Sequence, residues 1–234
     1  MDIATPTATV DARTLLLDYV RRTLPRERTT PSTVRIEQRG TMWRSPGGRG
    51  LSFTAEQRFE TSRVEFAWRA RFAMMPAVSL TVEDAFVGGH GHLEGRLWDR
   101  IRVLRSVGPE IDRGQILRYL AELPWNPYAI LGNDALRWRV LGPRRLEVAL
   151  AGATTPCAIE MSLDEHGDIA QVGTAARGYV DGKTIVMRPW GGRFWDYAMF
   201  DGVRMPRCAE VWWDLPSGRF TYWRGELTAV KHAW

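Results

Sequence analysis

Polar side chains on otherwise apolar strand faces are where this sequence could do chemistry. Gln57 falls in register with Phe53, Ala55 and Phe59, and Asp84 with Val78, Leu80, Val82 and Phe86. A carboxylate among apolar side chains is costly unless it is paired or hydrogen-bonded. Asp84 is therefore expected to have either a raised pKa, suited to a proton donor, or an arginine partner, suited to orienting a ligand. The plainer reading of both positions is a strand end near solvent or a structural ion pair.

His90, His92 and Glu94 alternate, so a strand would point all three the same way, and a His-x-His pair on one face is a metal-site pattern. Gly88, Gly89 and Gly91 break up that geometry, and no metal is assigned. Either histidine could still act as a hydrogen-bonding wall or a general base. Arg118 and Glu122 stand four apart on the side of a helix away from its apolar stripe, the ordinary place for a solvated ion pair, which is the favoured reading. If another segment packs over that side, Glu122 becomes a desolvated carboxylate with a raised pKa, suited to acid–base work, with Tyr119 at the stripe's edge.

Aromatic residues supply the matching apolar surface. Trp190, Trp195, Tyr197, Trp212, Trp213, Tyr222 and Trp223 lie on three late strands expected to be neighbours, and Trp68 lies on an earlier one. A tryptophan-rich concave face can bind an apolar ligand, with tyrosine and arginine groups such as Arg118 orienting it; the alternative is plain core. No nucleophile elbow, phosphate loop or dinucleotide fingerprint occurs, and Gly47-Gly48-Arg49-Gly50 lacks the lysine and following helix of a phosphate loop. No cofactor is assigned.

These residues need elements to hold them. Residues 1–10 read as a flexible tail. Asp11 can cap a helix over 12–23 with its stripe at Ala12, Leu15, Leu16, Tyr19 and Val20, stopped by Pro25. Beyond Ser32 the period changes to two. Val64, Phe66, Trp68, Ala70, Phe72 and Met74 share one face of a strand over 63–74, separated by Thr61-Ser62 from a strand beginning at Leu51, which predicts a tight hairpin. Strands are expected near 78–87, 92–98 and 100–107. After a helix over 113–123, with a capping box at Asp112 and Gln115, they resume near 137–141, 144–150, 156–163, 169–178, 183–190, 194–200, 208–215 and 219–228. Such alternation belongs to half-buried antiparallel sheets. The expected fold is mainly β, with an α+β admixture. It is a strongly curved antiparallel sheet, or unclosed β-barrel, with two helices over the concave face and residues 11–234 in one half-barrel domain. An incompletely closed barrel leaves a hollow, which predicts a ligand cavity lined by the late aromatics and the interior face of 51–86.

Composition bounds the rest. The 234 residues are 44% hydrophobic and 25% charged, with 11 tryptophans, as for a chain with a real core. The net charge is +5, and all but Lys183 and Lys231 of the 32 basic residues are arginine. They are interspersed with 27 acidic residues, without the concentrated stripe of a nucleic-acid binder. Cys157 and Cys208 make no disulfide framework. No segment approaches the length of an apolar membrane span, and the N-terminus has no secretory pattern, so a cytoplasmic location is expected.

Several spaced motifs point further: Gln38-Arg39-Gly40, Phe53-Thr54-Ala55-Glu56-Gln57, Phe66-Ala67-Trp68-Arg69-Ala70, Gly89-His90-Gly91, Arg118-Tyr119-Leu120-Ala121-Glu122, Pro189-Trp190, Pro206 with Glu210 and Trp212, and Tyr222-Trp223-Arg224. Together they resemble a bacterial family known only as a domain of unknown function, over about residues 33–228. The resemblance implies the architecture of the LolA/LolB lipoprotein carriers, an unclosed barrel with helices across its opening. Many members of that family carry a leading membrane helix, which this chain does not show. Two readings follow. One is a cofactor-independent cyclase, isomerase or hydrolase acting on an apolar small molecule through Asp84, His90, His92, Tyr119 and Glu122. The other is a non-catalytic binder or carrier of lipids or acyl chains.

Overall fold

Period-two alternation becomes strand almost wherever it occurs. The computed structural model describes residues 11–26, 29–75, 77–153, 156–182 and 184–234, so the expected tail over 1–10 lies outside the described residues. In Leu51–Glu60, Phe53, Ala55, Gln57 and Phe59 are buried while Ser52, Thr54, Glu56 and Arg58 face solvent. Among the described residues, thirteen strands form one antiparallel sheet. They are β1 (Thr33–Met42), β2 (Leu51–Glu60), β3 (Phe66–Met75), β4 (Val78–Val87), β5 (His90–Leu97), β6 (Ile101–Val107), β7 (Leu136–Gly142), β8 (Arg145–Leu150), β9 (Ala158–Leu163), β10 (Ile169–Asp181), β11 (Thr184–Phe200), β12 (Val203–Leu215) and β13 (Gly218–Ala233). The spatial order is β6-β5-β4-β3-β2-β1-β13-β12-β11-β10-β9-β8-β7, and the sheet curls into a half-barrel.

Within the sheet, a six-strand and a seven-strand meander are therefore joined through the β1–β13 pairing. At that seam Gly40 lies opposite Gly225, and a Cβ on Gly40 would collide with the Arg224 carbonyl, the Gly225 backbone and the Phe53 ring. The two glycines let the Phe53 and Trp223 rings close over the seam, 5.7 Å apart.

Between β6 and β7 the chain crosses from one edge of the sheet to the other through α2 (Pro109–Ala121), a 3-10 turn (Leu123–Trp125) and α3 (Pro127–Gly132). On one side of α2, Asp112 Oδ1 accepts from the Gly91 amide at 2.6 Å and Gln115 donates to Asp84. On the other, Arg113 donates to the Ala176 carbonyl at 2.7 Å and Arg177 to the Gly114 carbonyl at 3.0 Å. The approach to β5 is so close that a Cβ on Gly91 would stand 2.9 Å from Gln115 Cγ. The remaining helix, α1 (Ala12–Thr23), is capped by Asp11 Oδ1, which accepts from the Thr14 amide at 2.7 Å, and buries Leu16, Tyr19 and Val20.

Four expectations need correction. The second helix starts at Pro109, not 113, because a proline in the first turn has no amide to leave unbonded; Asp112 is thereby free to hold β5 instead of capping. The helical region does not end at residue 123, where the expected helix stopped before Pro124, but continues through α3. The β2–β3 connection is a wider bend in which the Glu60 amide donates to the Glu65 carbonyl at 3.0 Å, not a two-residue turn. Finally, 183–190 and 194–200 are one strand, because Gly191 and Gly192 carry the backbone past Trp212, the Val172 carbonyl of β10 and the Glu210 carbonyl of β12, where a Cβ would crowd them.

Candidate functional site

Inside the curl lies a cavity of about 620 Å³. One wall is built by β3 and β4, where Trp68 pairs with Asp84 in register and Phe72 with Leu80. The opposite wall is built by β11–β13 with Trp190, Phe194, Val211, Tyr222 and Trp223, and α2 crosses between them with Arg118, Ala121 and Glu122.

The polar floor is a closed network. Arg118 donates to Asp84 and, through Nε, to Glu122 Oε1 at 2.9 Å. Glu122 Oε2 also accepts from Gln57 Nε2 at 2.5 Å, and Asp84 also accepts from Gln115. The Arg118 guanidinium lies 5.1 Å from the Phe66 ring centre and 5.0 Å from that of Trp68, whose Nε1 donates to Gln38 at 2.9 Å. Asp84, Arg118 and Glu122 are only 14–15% exposed. The solvated ion pair favoured from sequence is thus corrected. The side of α2 opposite its apolar stripe faces the cavity, because the sheet wraps the helix on both flanks. Burial pushes the Glu122 carboxyl above its ordinary range against the opposing pull of Arg118 and Gln57.

That shift has a testable sign. A carboxyl whose folded pKa is raised contributes stability that is fully present below its unfolded value of 4.5 and is lost as pH rises through the folded value. Glu122→Gln keeps the shape without titrating, and Gln57 Oε1, buried and unbonded, can turn to accept from the new amide. Relative to the parent, the variant is expected to gain stability from pH 4 to pH 8, read from urea unfolding at each pH. Parallel profiles would contradict the burial of Glu122.

Of the residues singled out from sequence, Asp84, Glu122, Arg118, Trp68, Trp190, Tyr222 and Trp223 meet at this cavity, and Gln57 supports it through Glu122. The others do not. His90 is exposed, and His92 faces the outer side of the sheet with Nε2 2.9 Å from Glu83, because the inward positions of β5 are Gly91, Leu93 and Gly95. Tyr119 turns away from the cavity, donating to the Glu60 carbonyl at 3.3 Å and accepting from Asn133 at 3.1 Å, and burial raises its pKa. Trp195 and Trp212 lie on the outer face under Arg193 and Arg219, at 5.0 and 4.2 Å. Tyr197 packs beneath α1, donating to the Ile169 carbonyl at 2.9 Å, because a bulge at Asp196 (φ 56°) shifts the alternation.

Sequence reasoning missed Arg177, Gln115 and Trp125. Arg177 reaches the cavity from β10, with its guanidinium carbon 4.2 Å from the Trp190 ring centre. Trp125, 2% exposed, donates to the Pro206 carbonyl at 3.0 Å and meets Phe194 edge-on. An arginine at an inward strand position was the available signal for Arg177; a register shift between Thr174 and Arg177 concealed it. Among the described residues no group of three or more His, Cys, Asp or Glu is placed to hold a metal, and Cys157 and Cys208 are free thiols. No helix among them is long and apolar enough to cross a membrane.

The half-barrel implied by the motifs is the architecture observed. A search of curated proteins finds no match. Among solved structures, the LolA superfamily protein NE2245 from Nitrosomonas europaea is similar at 9% identity and a TM-score of 0.48, over 97% of this chain and 95% of that one. A DUF1329 family protein from Desulfovibrio piger ATCC 29098 is similar at 12% identity and a TM-score of 0.48, over 93% and 90%. The pattern of a family of unknown function, DUF6920, matches residues 15–232, nearly the whole chain, and the chain belongs to that family.

Proposed function

We propose that the protein binds an apolar, lipid-like small molecule in the cavity between the sheet and α2. The observation that carries this reading is the combination of a 620 Å³ aromatic-lined hollow with a polar floor whose carboxylates are engaged by protein. The volume lies within the range of about 300–1,000 Å³ that takes a drug-sized molecule. Asp84 and Glu122 are each bonded twice, which favours orienting a ligand over transferring protons to it. Titration with Nile red, an uncharged apolar dye, is expected to show saturable blue-shifted fluorescence, displaced by dodecanol. Val211→Trp, which puts a ring into the cavity from β12, is expected to abolish it. Equal dye binding by parent and variant would overturn the reading.

The raised pKa of Glu122 favours a second reading, acid–base turnover of the same ligand. Mass analysis of the bound molecule before and after prolonged incubation separates the two. An unchanged mass and structure supports the binder, and conversion that Glu122→Gln abolishes supports the enzyme.

A further inference from the structure

Three arginines line the cavity; Arg44 is exposed, and the other two are treated differently. Arg118 is held by two carboxylates. The Arg177 guanidinium lies over Trp190, 4.2 Å from the ring centre, with Trp213 at 5.7 Å, and donates through Nη2 to the Gly114 carbonyl at 3.0 Å. Among the described residues it forms no ion pair, and its other N–H groups meet no protein acceptor. Its supporting ring is itself fixed, because Trp190 Nε1 donates to the Tyr222 hydroxyl at 3.1 Å. Tyr222 also lines the cavity, and accepting that bond leaves its own O–H available to donate.

The charge balance sharpens the contrast. Asp84 and Glu122 both bond Arg118, whereas among the described residues no carboxylate bonds Arg177. Burial also lowers the Arg177 pKa, because water is not there to solvate the cation. A buried charge without a partner is among the costliest arrangements in a protein. A ligand that brought an anion would relieve that cost. The planar fork of a guanidinium matches a carboxylate, which can take two parallel N–H bonds.

Resting on the binding function proposed above, we infer that the ligand is an apolar chain ending in a carboxylate, a fatty-acid-type amphiphile. Arg177 and the Tyr222 hydroxyl hold its head, and the tail lies along Trp68, Phe72, Leu80 and Leu104. A purely structural Arg177, serving only to tie α2 to β10, would leave the cavity indifferent to ligand charge.

Calorimetric titration of the full chain with dodecanoic acid, dodecanol and dodecyl phosphate decides between these. In the parent protein the acid is expected to bind about 10- to 100-fold tighter than the alcohol, the range of a hydrogen bond to a charged group. Arg177→Met is expected to bring the acid down to the alcohol while leaving the alcohol unchanged. Tyr222→Phe is expected to weaken the acid alone. Equal affinity for acid and alcohol in the parent overturns the inference but not the binding function, and needs no variant that might misfold. A preference kept by Arg177→Met also overturns it, as does tighter binding of the phosphate than of the acid. If neither the acid nor the alcohol binds, the binding function itself fails and the inference with it.

Discussion

Arg118→Met is expected to lower the free energy of unfolding by about 3–5 kcal/mol, the cost of stranding a buried charge by removing its partner. Arg118 holds Asp84 and Glu122 together, and all three are nearly inaccessible to water. Without it Asp84 keeps only Gln115, and Glu122 only Gln57. Methionine preserves the packing against Phe66 and Trp68, so the loss reads out charge and not volume. Urea unfolding with an unchanged slope measures it. Adding Asp84→Asn and Glu122→Gln removes the stranded charges and is expected to recover most of the loss. A single variant within 1 kcal/mol of the parent would show that the network is solvated after all.

Trp125→Ala is expected to cost about 3–5 kcal/mol by deleting a large buried ring and leaving the Pro206 carbonyl without its donor. The ring stands edge-on to Phe194 and Trp223 at the end of the cavity, so its removal enlarges an existing hollow. Indole, which replaces the lost shape, is expected to raise the melting temperature of the variant and to leave the parent's unchanged, because a guest that binds only the folded state stabilises it by mass action. Melting curves with and without indole test this. An indole response of equal size in the parent would place the guest elsewhere.

The fold was largely legible because alternation is a local property. Phe53, Ala55, Gln57 and Phe59 declare their common face within one strand, whichever strands become its neighbours. Asp84 was legible on the same ground, as a carboxylate in an apolar register that demanded a partner. What could not be read was the partner's environment. The helical spacing of Arg118 and Glu122 is the same whether α2 lies on the outside of a sheet or inside its curl. Only the crossing from β6 to β7 decides that, and it is held by the contact at Gly91 and the carbonyls of Ala176 and Gly114. Trp195, Trp212 and Tyr197 failed for a related reason. Trp195 follows the inward Phe194 and Trp212 the inward Val211, so simple alternation turns both outward, while the bulge at Asp196 shifts Tyr197.

The seam between β1 and β13 constrains the order of assembly. Every other strand pairing joins neighbours along the chain and can zip up from a turn, whereas Ser32 meets Ala233 across 201 residues. Closing so long a loop is entropically costly before any contact rewards it. During synthesis both meanders can take shape while β1 still presents one unbonded edge, and the barrel wall is completed only after Gly218–Ala233 has left the ribosome. The nascent first meander is therefore the species most exposed to wrong strand pairing, and Gly40 is where β13 must dock. The curvature that encloses the cavity arrives with the pairing of β13 to β1.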